Sequence, residues 1–591
     1  MKKIISQAAA VTVICSLLFF VSGCKKRLIE KPYTVFTTEY LKTASGLQSG
    51  TVALYSGMRY LYGPNGALNT MNSGTDEWTL GDQGASSGLD CGAYNLNSSN
   101  GDILTPWNRS FNNINLANGI IQFAPEVSMD GAAKATLLAE AHYFRGLYYF
   151  LLVQQFGAVP INLGSGDLSF NQEPFQGFNR LVPDLLKKNY QTIIDDFTYA
   201  SQNLPAKRPV NGGFYIYKAA AYHMLAKAYL FRSYSSVKQS TDYKSAWDAA
   251  KYVIDNQTAL GTALLQDYGD IHKEGNDYNA EILYSVERIP GDPFDNELNS
   301  VGTEFSGKAN MSCNWYNANY QNSVTINGAF PCDRVLQYMR PLRQLCPNPW
   351  VYDSAFADKT NDSRYDNSFR VVWLATNNNA ASSGVSTGDT AYYLTPTKAF
   401  ADSLRALGTK KYRILDPTQF YLPSRPTFQL YPAIKKFDDN KRGAINDASG
   451  RPYVVAKLSE VYLEAAEAAI LDGRPGDALP LIQVLRKRAA YRAGLNSTVL
   501  AQREANMTSL TTANMTVDFI MTERVRELCG ESVRWADLAC RGLLLEYVKN
   551  RNRNLVAAAN IKAHHVLRPI PQSQLDAMND PNKAQYQNPG Y

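Results

Sequence analysis

Histidine and cysteine are both scarce in this chain, five and eight among 591. Only His564 and His565 adjoin, and neighbours in sequence diverge in space, so a histidine-built metal centre is not expected. The cysteines form no CxxC pair. Beyond Cys15 and Cys24, the other six (Cys91, Cys313, Cys332, Cys346, Cys529 and Cys540) are scattered. They are too sparse to stand in for a hydrophobic core, which excludes a disulfide scaffold. One or two bridges are the expectation, most readily among Cys313, Cys332 and Cys346. A strong charge of one sign is also lacking: the formal net charge is +6. Spread over so long a chain, that is too small to argue for nucleic-acid binding.

What is present begins at the N-terminus. Lys2 and Lys3 precede an apolar run, Ala8–Val21, of about fourteen residues. That is the layout of a secretory signal, too short to remain as a membrane-spanning helix. The next residues, Val21-Ser22-Gly23-Cys24, resemble the lipobox of bacterial lipoproteins. The resemblance implies acylation of Cys24 and a soluble body tied to a membrane by two or three acyl chains. Each buried methylene adds roughly 0.8 kcal/mol, and more than one chain gives stable anchoring. Loss of residues 1–23 removes two lysines and no acid, taking the charge from +6 to +4.

Aromatic residues are abundant, with 37 Tyr, 24 Phe and 7 Trp. Tyrosine joins an apolar ring to a polar tip, which suits either a binding face or packing between helices. Helical periodicity is plain from about Lys134 to Phe156, where Leu137, Ala141, Phe144, Tyr148 and Leu151 recur at steps of four and three. Tyr143, Leu147 and Phe150 make a second stripe, so this helix is expected deep in the fold. Gly157 and Pro160 end it. Further helices are expected over Leu181–Asn203, Lys218–Tyr234 and Tyr243–Asn256. Another pair begins at Val454 and turns at Gly473-Arg474-Pro475-Gly476. Each pair makes a hairpin of roughly 40 residues, near the size of tetratricopeptide units, and such hairpins bury their stripes by stacking.

The expected organisation is a signal over 1–23, a lipidated tether over 24–35 and one domain over 36–591. The fold class is mainly α, with helical pairs at about 108–258 and 454–494 and loop-rich lobes at about 64–106 and 290–446. Long irregular insertions in a compact domain are usually functional. Catalytic motifs do not survive inspection. Gly84-Ala85-Ser86-Ser87-Gly88 has the G-x-S-x-G spelling, but no apolar strand precedes it to make a nucleophile elbow. Gly302–Ala309 approaches a phosphate loop but has alanine where the Mg²⁺-binding hydroxyl belongs. Asp195-Asp196 reads as a solvated helix face. Glu523, Arg524, Arg526, Glu527, Glu531 and Arg534 fall at helical spacing, and ion pairs on a helix surface are expected there.

Several segments together resemble the RagB/SusD family of outer-membrane nutrient-binding lipoproteins. They are Ala139–Pro160, Lys457–Glu467 with Leu485–Ala489, Glu523–Leu528 with Arg534–Leu538, Pro569–Gln572, and Gln587–Tyr591. They follow the family's order from the lipobox to the last residue. Ser532 stands where the family usually has glycine, Cys540 where arginine is common, and Lys25-Lys26-Arg27 where surface-exported relatives often carry acids. The resemblance implies a tetratricopeptide-like scaffold with an irregular ligand lobe, no catalysis and no cofactor. It also implies a SusC-like TonB-dependent outer-membrane transporter as partner, to which an oligosaccharide, or in some members a peptide, is delivered.

A sugar ring stacks its C–H face on an aromatic ring while its hydroxyls take amide and carboxylate partners. On that ground the ligand-binding candidates are Trp315, Tyr316 and Tyr320 with Asn314, then Trp350 and the Asp76/Trp78 pair; Trp107 reads as core. Two other classes compete with a glycan importer. A surface hydrolase would turn over its glycan, and a periplasmic tetratricopeptide scaffold would bind peptides away from the cell surface.

Overall fold

The structure is a computed structural model that describes residues 38–83, 90–161, 184–209, 213–288, 308–377, 384–420, 429–578 and 580–591. The signal, Cys24 and its tether, the Gly84–Gly88 motif and most of the Gly302–Ala309 motif lie outside the described residues.

The chain starts with α1 (Ala44–Gly57) and α2 (Asn65–Asn72), followed by the strand β1 (Trp78–Leu80). Then come the scaffold helices α3 (Gly101–Phe123), α4 (Gly131–Phe156), α5 (Leu185–Asn203), α6 (Lys218–Tyr234) and α7 (Asp242–Asp255). Consecutive members of α3–α7 pack against each other as antiparallel neighbours, stacked as tetratricopeptide pairs are. Asp130 caps the start of α4 by accepting from the Ala133 N–H at 2.9 Å. Gly157 ends it with φ of 74°, a backbone that only glycine adopts without strain. From Ala139 to Phe156 every residue but His142 and Gln154 is buried, so α4 beyond its first two turns is a central helix with no solvent face.

Next come β2 (Ile282–Val286), β3 (Leu345–Pro347), β4 (Phe369–Arg370), β5 (Val372–Leu374) and β6 (Thr390–Leu394). They are followed by α8 (Lys398–Ala406), β7 (Arg413–Leu415), β8 (Ala433–Ile434) and β9 (Tyr453–Lys457). The antiparallel β2–β9 pair closes the neck of this insertion, bringing Ser285 opposite Val454. β1 pairs with β3, with Trp78 opposite Pro347, so the two segments read as separate lobes are adjacent in space. The first is not a loose lobe: Leu68–Gly81 is buried throughout. β6 and β7 run parallel with α8 as their crossover.

Helices resume with α9 (Leu458–Leu471), α10 (Pro475–Ala490), α11 (Ser497–Thr508), α12 (Val517–Leu528), α13 (Arg534–Cys540) and α14 (Leu544–Arg551). α9 packs on α7 across the whole insertion, which continues the stack, and α12 lies against α9. Among the described residues no helix is long and apolar enough to cross a membrane.

Two expectations are corrected here. None of the six described cysteines is in a disulfide, Cys313, Cys332 and Cys346 included; five are buried and Cys540 is half-buried. The Asp195-Asp196 pair is not a solvated face. Asp195 is exposed, but Asp196 is buried, accepts a two-pronged bond from Arg145 (both 2.8 Å) and faces His142 Nδ1 at 2.6 Å. A helix turns neighbouring residues by about 100°, so one aspartate reaches the interior and the next does not.

Candidate functional site

The aromatic residues expected to face a ligand are mostly inside. Trp78 and Tyr316 are fully buried, with ring centroids 4.5 Å apart. Tyr316 stacks on Phe437 at 6.0 Å, Phe437 on Tyr453 at 5.8 Å, and Tyr453 meets Tyr62 at 5.9 Å. This column runs from β1 through the insertion to the helical base. Trp315 is buried, and Tyr320, also buried, donates its hydroxyl to the Met339 carbonyl at 2.9 Å. Asn314 is buried with its amide satisfied: Oδ1 accepts from the Arg340 N–H and from Arg442, and Nδ2 donates to the Asp447 carbonyl. The expectation that these residues present open ring faces and free amides is therefore corrected. Strands of two to five residues enclose little apolar surface. The lobe fills its interior with rings instead, each worth 150–250 Å² of burial.

Asp76 belongs to a second buried system. Arg534 grips its carboxylate from both sides (Nε–Oδ1 2.8 Å, Nη2–Oδ2 2.6 Å) and also donates to the Met521 carbonyl at 2.8 Å. Glu77 beside it accepts from the Gly530 N–H at 2.8 Å; burial, only partly offset by Arg534, pushes its carboxyl up to about 7. The ordered charges near the C-terminus are likewise interior and not on a helix surface. Arg364 bridges Glu523 (2.7 Å) and Glu527 (3.1 Å), and Arg488 reaches Glu527 at 2.5 Å. Lys436 and Lys457 both hold Glu531, at 2.7 and 2.8 Å. Arg524 joins Asp537 to Glu460, both at 2.7 Å. Burial by itself would raise Glu527, but Arg488, Lys457 and Arg364 outweigh it and hold the carboxyl at about 2. These partners come from α9, α10, β9 and the insertion, so the network ties lobe to scaffold.

A third cluster sits between α6 and α9. His223 Nε2 lies 3.2 Å from Glu460 and 3.3 Å from Glu464, and Lys227 lies 2.7 Å from Glu460, all in the interior. Its donor set resembles a metal site. The charges argue otherwise, because Lys227 and Arg524 already occupy Glu460. Burial alone would lower His223, yet Glu464 and Glu460 together raise it to about 9. A protonated imidazole thus supplies the cation. His564 and His565 are also structural, packed on Tyr591 and Tyr94.

Trp350 alone among the seven candidates keeps an open side. It is half-buried, and the Arg551 guanidinium at the end of α14 lies 4.4 Å from its ring. Exposed Arg553, Leu555 and Val556 adjoin in sequence. Arg551 was not legible as a neighbour, since nothing in the sequence links it to residue 350. A separate cleft of about 140 Å³ opens in the helical base, lined by Tyr60, Pro64, Thr70, Asp102, Pro106 and Gln155.

Two family models match this chain. One, described as the SusD family, covers residues 351–591; the other, described as starch-binding associating with outer membrane, covers residues 55–230. The chain belongs to the SusD family. A SusD-like protein of Formosa agariphila is 23% identical over 586 residues, spanning 96% of each chain. Among solved structures, a laminarin-binding SusD-like protein matches at a TM-score of 0.62 and 20% identity, over 93% of this chain and all of the other. Surface glycan-binding protein A of Bacteroides thetaiotaomicron, solved with laminarihexaose, matches at 0.61 and 16% identity, over 92% of this chain and 99% of the other. The SusD fold therefore extends over nearly the whole described chain, and Trp107, buried in α3, is part of its core.

Proposed function

We propose that this SusD-family protein is a non-catalytic outer-membrane lipoprotein, anchored through Cys24, that binds oligosaccharides at the cell surface. It delivers them to a SusC-like TonB-dependent transporter. One observation carries the reading: the fold matches, end to end, proteins described as binding laminarin and laminarihexaose. The lipobox spelling at Val21–Cys24 and the family description of outer-membrane association support the location.

The ligand contact in this reading is Trp350 with Arg551 over it, the one candidate ring with an open side. Trp315, Tyr316, Tyr320, Asn314, Asp76 and Trp78 act as the frame that fixes the surrounding loops. The polar groups of Asn314, Tyr320 and Asp76 are spent on backbone and arginine partners, and the indole N–H groups of Trp78 and Trp315 and the Tyr316 hydroxyl are buried away from solvent.

Calorimetric titration of the protein against a panel of oligosaccharides and a mixed peptide pool tests this. Binding to one glycan class supports it. Binding to peptides alone moves the protein to peptide import, and glycan turnover would make it a hydrolase.

A further inference from the structure

The segment from Lys398 to Gln419 is unbalanced in charge. It holds Lys398, Arg405, Lys410, Lys411 and Arg413 against Asp402 and Asp416. Both acids are already taken. Lys398 lies 2.5 Å and Arg405 2.9 Å from Asp402, and Arg405 reaches Asp416 at 3.0 Å. Arg405 is further tied to the Ile414 carbonyl at 3.0 Å and to Gln419 Oε1 at 2.6 Å, which makes it a fixed strut between α8 and β7. Lys410, Lys411 and Arg413 are exposed and have no carboxylate within ion-pair distance among the described residues.

These residues border a concavity. A groove of about 320 Å³ lies between the end of α8 and β7, lined by Arg405, Lys410, Tyr412, Arg413, Ile414 and Gln419. An engineered cavity of roughly 150 Å³ holds one benzene, so this groove has space for about two ring-sized units. Its walls combine one aromatic face, one amide and two uncompensated cations. A guanidinium presents a planar fork that fits a carboxylate or sulfate in two-pronged fashion, and an ammonium adds a point charge. Neutral sugars would not use that charge; an acidic one would. The parallel β6–β7 pair and the strut at Arg405 hold Arg413, Ile414 and Gln419 in place, while Lys410 and Tyr412 reach the groove from the short connection between α8 and β7.

We infer that the groove between α8 and β7 is a subsite for the oxyanion of an acidic saccharide, a uronate carboxylate or a sulfate ester. This rests on the glycan-binding reading above and narrows its substrate class. Arg413 and Lys410 take the anion, Tyr412 offers a face to the ring, and Gln419 bonds a hydroxyl.

The test is titration of the full chain with three ligands: a uronate oligomer, a sulfated oligosaccharide and the neutral oligosaccharide of the same backbone. An exposed charge contact changes affinity roughly two- to fivefold, so Lys410→Ala with Arg413→Ala should weaken acidic binding about tenfold. Neutral binding and the melting temperature should stay unchanged. Raising salt from 0.1 to 1 M shortens the screening length from about 10 to about 3 Å, which should erase the acidic preference in the wild type and do little in the double variant. Which of the two acidic ligands responds tells carboxylate from sulfate. Acidic ligands that bind no tighter than the neutral one, or as tightly to the double variant, overturn the inference and leave glycan binding standing. Equal displacement by inorganic polyphosphate also overturns it, because the groove would then be a generic polyanion surface. Absence of binding to any of the three saccharides overturns both readings.

Discussion

Replacing Arg534 by alanine distinguishes a buried lobe-to-scaffold clamp from a surface ion pair. Arg534 is buried and makes three hydrogen bonds, two to Asp76 and one to the Met521 carbonyl. Removing it leaves the fully buried Asp76 carboxylate with Arg551 alone, at 3.4 Å. Breaking a buried pair from one side costs about 3–5 kcal/mol, whereas a helix-surface pair is worth roughly 0.2–0.5 kcal/mol. With ~2.1 cal/mol/K per residue over roughly 500 folded residues, the unfolding entropy is about 1 kcal/mol/K. The expected loss is therefore about 3–5 °C in melting temperature by scanning calorimetry. Arg534→Met with Asp76→Asn should be milder than the sum of the two single changes, because the double variant leaves no buried charge unpaired. A shift under 1 °C for Arg534→Ala, or strict additivity in the cycle, would refute the clamp.

Three other outcomes follow from the same interior. His223 is raised from 6.5 to about 9 by Glu464 and Glu460 against the cost of burial, so its contribution is complete below about pH 6.5 and fades as pH rises through 9. Melting temperature measured from pH 6 to 10 should fall across that window, and His223→Gln should flatten the fall. Glu527 is held down at about 2, so its contribution is present above pH 4.5 and lost as pH falls toward 2; Glu527→Gln should remove part of that acid limb. Burial pushes the thiols of Cys91, Cys313, Cys332 and Cys540 up to about 12, and an aromatic disulfide reagent should label them only after denaturation. Rapid labelling of the native protein would show that these sites are open.

The scaffold was legible because a helix buried against its neighbours writes its period into the chain. Leu137, Ala141, Phe144, Tyr148 and Leu151 mark α4, and Val461, Ala465 and Ala468 mark α9, without any knowledge of what they touch. The charges running from α12 to the start of α13 lie inside and not on the surface, because charge at helical spacing has two meanings. Their partners, Arg364, Lys436, Lys457 and Asp76, come from segments up to several hundred residues away, and sequence spacing carries no trace of them. A faint signal existed: Ile520, Met521, Val525 and Leu528 leave little room on α12 for a solvent face. The lobes misled for a different reason. Polar and glycine-rich stretches around Trp78 and Trp315 have the composition of open loops. Yet a short pairing such as Trp78 opposite Pro347 buries the rings between them. Aromatic abundance was a correct sign of unusual construction, but here it built the interior.

The most direct test of glycan capture is calorimetric titration of the full chain and its Trp350→Ala variant with the best-bound oligosaccharide of a neutral and acidic panel. Truncating an aromatic at the centre of a contact typically costs 2 kcal/mol or more, well over tenfold in affinity. Micromolar-to-millimolar binding by the wild type is expected, with at least a tenfold loss in the variant and a melting temperature lowered by no more than a few degrees, since Trp350 is only half-buried. Undiminished binding by Trp350→Ala would contradict the placement of the site, and silence of the wild type toward every glycan would contradict the function.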